Sequence, residues 1–137
     1  MTSIERFSSG SPWESIAGYS RTVRADDRVL VAGTTATLPG GEIDGIDDPG
    51  AQTRRTIANI EAALALAGAT LADVVRTRIY VTDITRWEEV ARAHGEAFGP
   101  HPPVMAMVQV AALIDPRILV EIEAEAVAAA GDPAGAA

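Results

Sequence analysis

The chain has 137 residues, 47% of them hydrophobic and 22% charged, which is typical of one globular domain with its own core. Eleven basic residues, all arginine, and nineteen acidic ones give a formal net charge of -8, and only 4% of residues are aromatic; this disfavours nucleic-acid binding, which needs clustered cations and stacking side chains. Cysteine is absent, which excludes disulfides, thiolate nucleophiles and cysteine-ligated zinc.

Residues 1–18 form a polar segment in which Gly10, Ser11 and Pro12 favour a loop. Trp13 is the apolar exception. We expect it to pack at the edge of the core or in a contact between subunits, and the alternative is that it lines a ligand site. The segment has no basic-then-apolar signal pattern, and no run in the chain reaches the length of a transmembrane helix. We therefore expect a cytoplasmic protein with no membrane partner.

Tyr19–Thr37 is predicted to form a β-hairpin, because YSRTVRA alternates in polarity and VLVAG is a nearly continuous apolar run that follows an acidic turn. Tyr19 and Arg21 share one face of the first strand. Gly33, inside the second strand, indicates a bulge or a close approach of the backbone to another group. Thr34 follows it with a hydroxyl suited to a small polar ligand, although a threonine in a strand usually packs.

The loop over residues 38–50 leads into the first predicted helix. Asp47 or Asp48 before Pro49 is a typical helix start, and apolar residues at helical spacing predict a helix over residues 50–67. Gly68 is expected to end this helix in a left-handed conformation.

Residues 74–84 are predicted to form a strand, with Val75, Thr77, Ile79 and Val81 on one face and Arg76, Arg78, Tyr80 and Thr82 on the other. Thr85 followed by Glu88 matches a capping box, which predicts a second helix as far as Phe98. His94 falls on the apolar stripe of that helix, and we interpret it as a core histidine. His94 and His101 lack a ligand-like spacing, so no metal site is expected.

Pro102–Ala126 is predicted to hold two strands joined by a turn at Asp115-Pro116. In the second strand Val120, Ile122, Ala124 and Ala126 alternate with Glu121, Glu123 and Glu125. In the first, we expect Val104, Ala106, Val108 and Val110 to face the core and Met105, Met107 and Gln109 to face away from it. Like charges on alternate positions need water or cations opposite them, so the glutamate face is expected to be wet, with one glutamate lining a pocket as the alternative.

The resulting order is β-β-α-β-α-β-β, which predicts an α+β fold in which a mostly antiparallel sheet carries both helices on one face. The opposite face is then too mixed for a dry core and too apolar for plain solvent. We therefore expect it to contact other subunits, and we place on it Arg21, Arg76, Arg78, Met105, Met107, Gln109, Glu121 and Glu123.

Five stretches carry a family resemblance: GYSRTVRADDRVLVAGTTA, the helix ending at Gly68, DVVRTRIYVTDI, the AFG helix end and PPVMAMVQVAALIDPRILVEIEAEA. Together they resemble the RidA family (YjgF/YER057c/UK114) over about residues 15–128. The resemblance implies a chorismate-mutase-like fold, a homotrimer with ligand clefts between subunits, and hydrolysis of small enamines and imines without a cofactor. It implies one domain over residues 1–128, and residues 129–137 are expected to be a flexible tail.

The resemblance also assigns residues. The family's final-strand glutamate, which helps to place the attacking water, falls on Glu121, and its tyrosine and strand glycine fall on Tyr19 and Gly33. The arginine that clamps a substrate carboxylate falls on Met105, and a thioether cannot make charge-assisted hydrogen bonds. Losing such a pair costs about 2–5 kcal/mol when the partner charge is buried.

The chain is therefore identified as a divergent RidA-like protein outside the arginine-bearing deaminases. One hypothesis is a hydrolase of an imine, enamine or other C–N compound, with Glu121 placing water, Tyr19, Gly33 and Thr34 contacting the ligand, and Arg78, Arg21 or Arg24 replacing the missing clamp. The alternative is a trimeric metabolite-binding or interaction module without catalysis. For Glu121 itself, the alternative role is an interface salt bridge to Arg76 or Arg78.

Overall fold

The computed structural model describes residues 1–129, and its centre is a six-stranded sheet with the strand order β1-β2-β3-β6-β4-β5. All neighbouring strands are antiparallel except β4 and β5, which are parallel. The strands are β1 (Ile4–Phe7), β2 (Thr22–Ala25), β3 (Arg28–Thr34), β4 (Val74–Val81), β5 (Val104–Gln109) and β6 (Val120–Val127). The helices are α1 (Pro12–Ala17), α2 (Pro49–Leu66) and α3 (Trp87–Phe98), with short 3₁₀ turns at Leu71–Asp73 and Ile84–Arg86.

Helix α2 begins and ends where the sequence predicts. Asp48 caps it by accepting a hydrogen bond from the backbone N–H of Ala51 at 3.0 Å, and Pro49 occupies the first turn. At the other end Gly68 adopts φ 78°, a left-handed conformation that costs glycine little. The predicted boundaries are therefore correct to within one residue.

The main core lies between the sheet and the helices α2 and α3. The apolar residues of β6 are buried, and Ile122 is completely inaccessible. Ile60 and Leu64 of α2 and Phe98 of α3 close the same core from the helix side. Both helices thus cover one face of the sheet, as predicted, and we call this the helix-covered face and its opposite the open face.

Strands β5 and β6 do not form the predicted pair of adjacent strands. Strand β4 lies between them, parallel to β5 and antiparallel to β6. The cause is α3, which connects β4 to β5 as a crossover, and a helical crossover joins parallel strands.

The predicted faces of β5 are also wrong. Met105, Met107 and Gln109 are register partners of Thr77, Ile79 and Val81, which point to the helix-covered face. Met107 packs against the main core, whereas Val104 is 58% exposed on the open face. Both faces of β5 are apolar, so alternation alone does not identify the one that meets the helices.

Local signals at three other places gave the wrong prediction. Strand β1 and helix α1 lie in the segment expected to be a loop. Thr85 does not cap helix α3, although the sequence predicts that it does. Instead, Asp83 caps the 3₁₀ turn before α3 by accepting a hydrogen bond from the backbone N–H of Thr85. Val75 is 48% exposed because the β4–β6 register is irregular between Val74 and Arg76.

In residues 1–129, no helix combines the length and the apolar character needed to cross a membrane. The predicted flexible tail over residues 129–137 lies, apart from its first residue, outside the described part of the chain.

Candidate functional site

Glu121 lies on the open face of β6, next to β3, and its carboxylate rests on the backbone of Gly33. A Cβ atom added to Gly33 would lie only 2.1 Å from Glu121 Oε2. Only glycine leaves that space free. The β3–β6 register shifts between Val31 and Thr34, so the prediction of a bulge or close approach at Gly33 is confirmed.

The Glu121 carboxyl holds its proton more tightly than a glutamate in water does. Burial raises its pKa, the nearby charge of Glu123 raises it further, and Arg21 acts in the opposite direction. Within residues 1–129 Glu121 has no hydrogen-bond or ion-pair partner. A half-buried carboxyl with a raised pKa and no partner is a candidate proton acceptor and donor.

Arg21 holds one wall of the site together. Its Nη1 donates to Gly33 O at 2.9 Å and to Thr34 Oγ1 at 3.1 Å, and its Nη2 donates to the Tyr19 hydroxyl at 3.3 Å. The guanidinium also lies 5.6 Å from the centre of the Tyr19 ring. The structure therefore brings Tyr19, Arg21, Gly33 and Glu121 together, as the sequence suggested.

Thr34 is committed to the fold. Its side chain is buried, its hydroxyl donates to Ala32 O at 2.7 Å, and it accepts a hydrogen bond from Arg21. The hydroxyl has a single hydrogen, so it has none left to donate to a ligand.

Glu14, which the sequence analysis did not single out, anchors α1 to this wall. It is 6% exposed, it accepts hydrogen bonds from the backbone N–H and hydroxyl of Ser9, and one carboxylate oxygen lies 3.9 Å from Arg21 Nε. Its position on a short helix gave no periodic signal. No local motif marks it, because its partners Ser9 and Arg21 lie outside its own helix.

The other candidate clamps are occupied by other partners. Arg78, Arg76 and Arg28 all pair with Glu125, with Arg78 Nη1 at 3.1 Å from Glu125 Oε2. Arg24 donates to the carbonyl groups of Ala67 at 2.7 Å and Ala128 at 2.8 Å, and so ties β2 to the end of α2. Neither Arg76 nor Arg78 pairs with Glu121 within the protomer.

The third glutamate of the strand has a separate partner. The Tyr80 hydroxyl donates a hydrogen bond to Glu123. This hydrogen bond is the main reason that the pKa of Tyr80 is raised, with burial adding to it. Glu121, Glu123 and Glu125 thus share one face of β6 and occupy three different environments.

Met105 is far from Glu121 within one protomer. It lies on β5, with β4 between that strand and β6, which separates the two strands by about 10 Å. The register also puts it on the helix-covered face, opposite to Glu121. It is 44% exposed at the edge of the sheet, so a crevice lined by both residues must combine two protomers.

His94 is a core residue, as predicted. It is 7% exposed, its Nε2 lies 2.8 Å from Thr77 Oγ1, and burial lowers its pKa. Among the described residues, no group of three or more histidine, aspartate or glutamate side chains could hold a metal ion.

We expect Glu121→Gln to raise the melting temperature at pH 8 by a few degrees, because it removes a charge that burial disfavours. The folded-state pKa of Glu121 is raised, so the native state keeps its proton longer and loses stability as pH rises through that pKa. Below the pKa of the unfolded chain, about 4.3, the two proteins should melt alike. Thermal unfolding between pH 3.5 and 8 measures the difference. Glu61→Gln, an exposed site on α2, is the matched control, and an equal effect there would contradict the prediction.

A family model described as Endoribonuclease L-PSP matches residues 10–128. A crystal structure of a YjgF/YER057c/UK114 family member from Mycobacterium tuberculosis is 57% identical, superposes with a TM-score of 0.83, and spans 91% of this chain and 99% of its own. An uncharacterized Streptomyces coelicolor protein is 41% identical over 94% of this chain and 96% of its own. A RutC family protein from Pyrococcus abyssi is 35% identical over 80% of this chain and 85% of its own.

Proposed function

Because this chain belongs to the RidA (YjgF/YER057c/UK114) family, we propose that it hydrolyses a small imine, enamine or related C–N compound, with Glu121 as the proton acceptor and donor. The observation that carries the proposal is the Glu121 carboxyl itself. It is half-buried, it has no partner within residues 1–129, it rests on Gly33, and its pKa is raised.

The chemistry follows from that carboxyl. Glu121 takes a proton from a water molecule as the water oxygen attacks the carbon of the C=N bond. The protonated carboxyl returns that proton to nitrogen, which gives a carbinolamine. The carboxylate then takes the proton of the carbinolamine hydroxyl and passes it to nitrogen as the C–N bond breaks, so that ammonia or an amine leaves and a carbonyl product remains. No electrons are exchanged with a further reagent, and general acid–base catalysis of this kind contributes about 100- to 10,000-fold.

The substrate we propose is neutral or cationic near the reacting carbon. Arg21 already donates to Gly33, Thr34 and Tyr19, and Arg78 is paired with Glu125. Met105 offers no charge where the arginine-bearing deaminases bind a carboxylate. An anionic imino acid is therefore a poor ligand for this site, since nothing offsets the desolvation of its carboxylate.

We propose that the site is completed in a homotrimer, in which Met105 of a neighbouring protomer approaches Glu121. The exposed apolar residues of the open face, Leu30, Val104 and Val108, support a contact between protomers, and β5 is an edge strand within the described sheet. Light scattering at micromolar concentration tests this directly. A monomer under those conditions would remove the proposed cleft.

The activity test compares two substrate types on the folded protein. We expect hydrolysis of a neutral small imine above the rate in buffer, and slow hydrolysis of enzymatically generated 2-iminopropionate. If neither substrate is hydrolysed above buffer, the hydrolase proposal fails and the non-catalytic metabolite-binding module takes its place. Cleavage of RNA, which the family model's description names, is disfavoured by the net charge of -8.

Gly33→Ala should lower this activity by about tenfold or more while leaving the fold intact. The new Cβ would lie only 2.1 Å from the present position of Glu121 Oε2, so the flexible carboxylate must move. Gly95→Ala is the matched control, because a Cβ at Gly95 meets nothing within 4 Å. Turnover and thermal melting of both variants measure the effect. Full activity in Gly33→Ala would show that the contact between the Glu121 carboxylate and the Gly33 backbone is not needed for hydrolysis.

A further inference from the structure

Tyr80 is the residue nearest to Glu121 on the neighbouring strand. The two are directly paired in the β4–β6 register and share the open face. The Tyr80 hydroxyl, however, donates to Glu123 and not to Glu121. Because Glu121 and Glu123 are two residues apart on one strand, their Cα atoms are separated by only about 6.6 Å.

The two carboxyl groups therefore differ in a way that the fold imposes. Glu123 receives a hydrogen bond from a phenol, which an ionised carboxylate accepts most strongly. Glu121 receives none within the described residues and lies against the Gly33 backbone. Of the two carboxyl groups, one is therefore held by a partner side chain and the other is left without one in the described part of the chain.

We propose that Tyr80 is a positioning residue: by donating to Glu123 it holds that side chain beside Glu121, and it leaves Glu121 as the unpartnered carboxyl that exchanges the proton. This rests on the proposed function of Glu121. Tyr80 does not touch the reacting atoms in this assignment. It acts through Glu123, by keeping that side chain from swinging into water.

The other charged or titratable groups around Glu121 fit this assignment. On strand β3 the residue beside Glu121 is Gly33, which has no side chain. Arg21, which precedes β2, opposes the effect of Glu123 on the Glu121 pKa. Arg78 is opposite Glu123 in the register, but its guanidinium pairs with Glu125. Glu123 is therefore the one described group whose charge raises the Glu121 pKa.

The test is a carboxyl ¹³C NMR titration of Glu121 in the full chain, with the signal assigned by its loss in Glu121→Gln. We expect Glu123→Gln to lower the Glu121 midpoint by about one pH unit, because it removes a like charge at close range. Tyr80→Phe should also lower the Glu121 midpoint, by a smaller amount. Glu125→Gln is the matched control, since this glutamate is farther along the same face and paired with arginines, and its effect should be under about 0.3 pH unit.

The titration does not depend on turnover, so its outcome is separate from that of the proposed hydrolysis. A Glu121 midpoint unchanged within about 0.2 pH unit in Tyr80→Phe would overturn the role of Tyr80, whatever the activity and whatever the shift in Glu123→Gln. If the midpoints shift as expected in a protein that hydrolyses nothing, the role of Tyr80 stands and the hydrolase proposal falls. In an active protein, the acid limb of the rate profile should move with the midpoint, because Glu121 must be ionised to take a proton from water.

Discussion

Glu121→Gln is expected to lower the rate of imine hydrolysis by about 100- to 10,000-fold, the contribution of a positioned general acid–base group. Glutamine has nearly the same shape and can still occupy the space over Gly33, so the pocket should keep its form. It cannot take a proton from water at neutral pH. Steady-state kinetics with a neutral imine measures the loss, and the loss should fall on kcat more than on KM.

The matched control for this loss is Glu125→Gln, four residues farther along the same face of β6. Its carboxylate is bound by three arginines and has no place in the proposed chemistry. We expect it to keep at least about half of the wild-type rate. If Glu121→Gln retains similar activity, Glu121 is structural. Because Glu121→Gln is expected to be more heat-stable than the wild type at pH 8, a loss of its activity could not be ascribed to unfolding.

Met105→Arg should increase the hydrolysis of 2-iminopropionate by at least about tenfold over the wild type, because it supplies the missing cation for a substrate carboxylate. A buried charge-assisted pair of this kind is worth about 2–5 kcal/mol, or roughly 30- to 5,000-fold in binding. The side chain is 44% exposed at the sheet edge, so an arginine there does not disturb the core. Parallel assays of 2-iminopropionate and a neutral imine show whether the gain is specific to the carboxylate.

Leu66→Arg is the matched control, since Leu66 lies at the end of α2, away from the sheet edge, and at 46% is about as exposed as Met105. It adds the same charge to the surface of the protein, and we expect no gain from it. Light scattering of both variants checks that assembly is retained. Equal gains in the two variants would mean that general surface charge, and not the position of residue 105, governs the reaction. No gain in Met105→Arg would separate residue 105 from the cleft.

Several parts of the site were predictable because their signals are local. A glycine inside an apolar strand indicated close packing, and the structure has the Glu121 carboxylate on Gly33. Alternation along β6 separated its buried residues from its glutamates. Tyr19 and Arg21 were placed on one face, and they are joined through a hydrogen bond.

Other parts were not predictable from any single segment. Arg21, Arg24 and Arg78 were equivalent candidates in the sequence, yet the structure gives them three different sets of partners: backbone and hydroxyl oxygens beside Gly33, the carbonyl groups at the end of α2, and Glu125. Which oxygen a long arginine side chain reaches depends on strands that are distant in sequence. Glu14 was missed for the same reason, since its burial depends on Ser9 and Arg21.

The sequence by itself determined the type of most elements, the ends of α2, and which residues of β5 and of β6 share a face, because helical and strand periodicities are properties of the local backbone. The tertiary structure alone decided which strands are neighbours and which face of β5 meets the helices. Strand β4 takes the place between β5 and β6 because α3 crosses over from β4 to β5. With valine and alanine on one side of β5 and methionine on the other, both faces were suited to burial, and only the pairing with Thr77 and Ile79 put Met105 on the face opposite to Glu121.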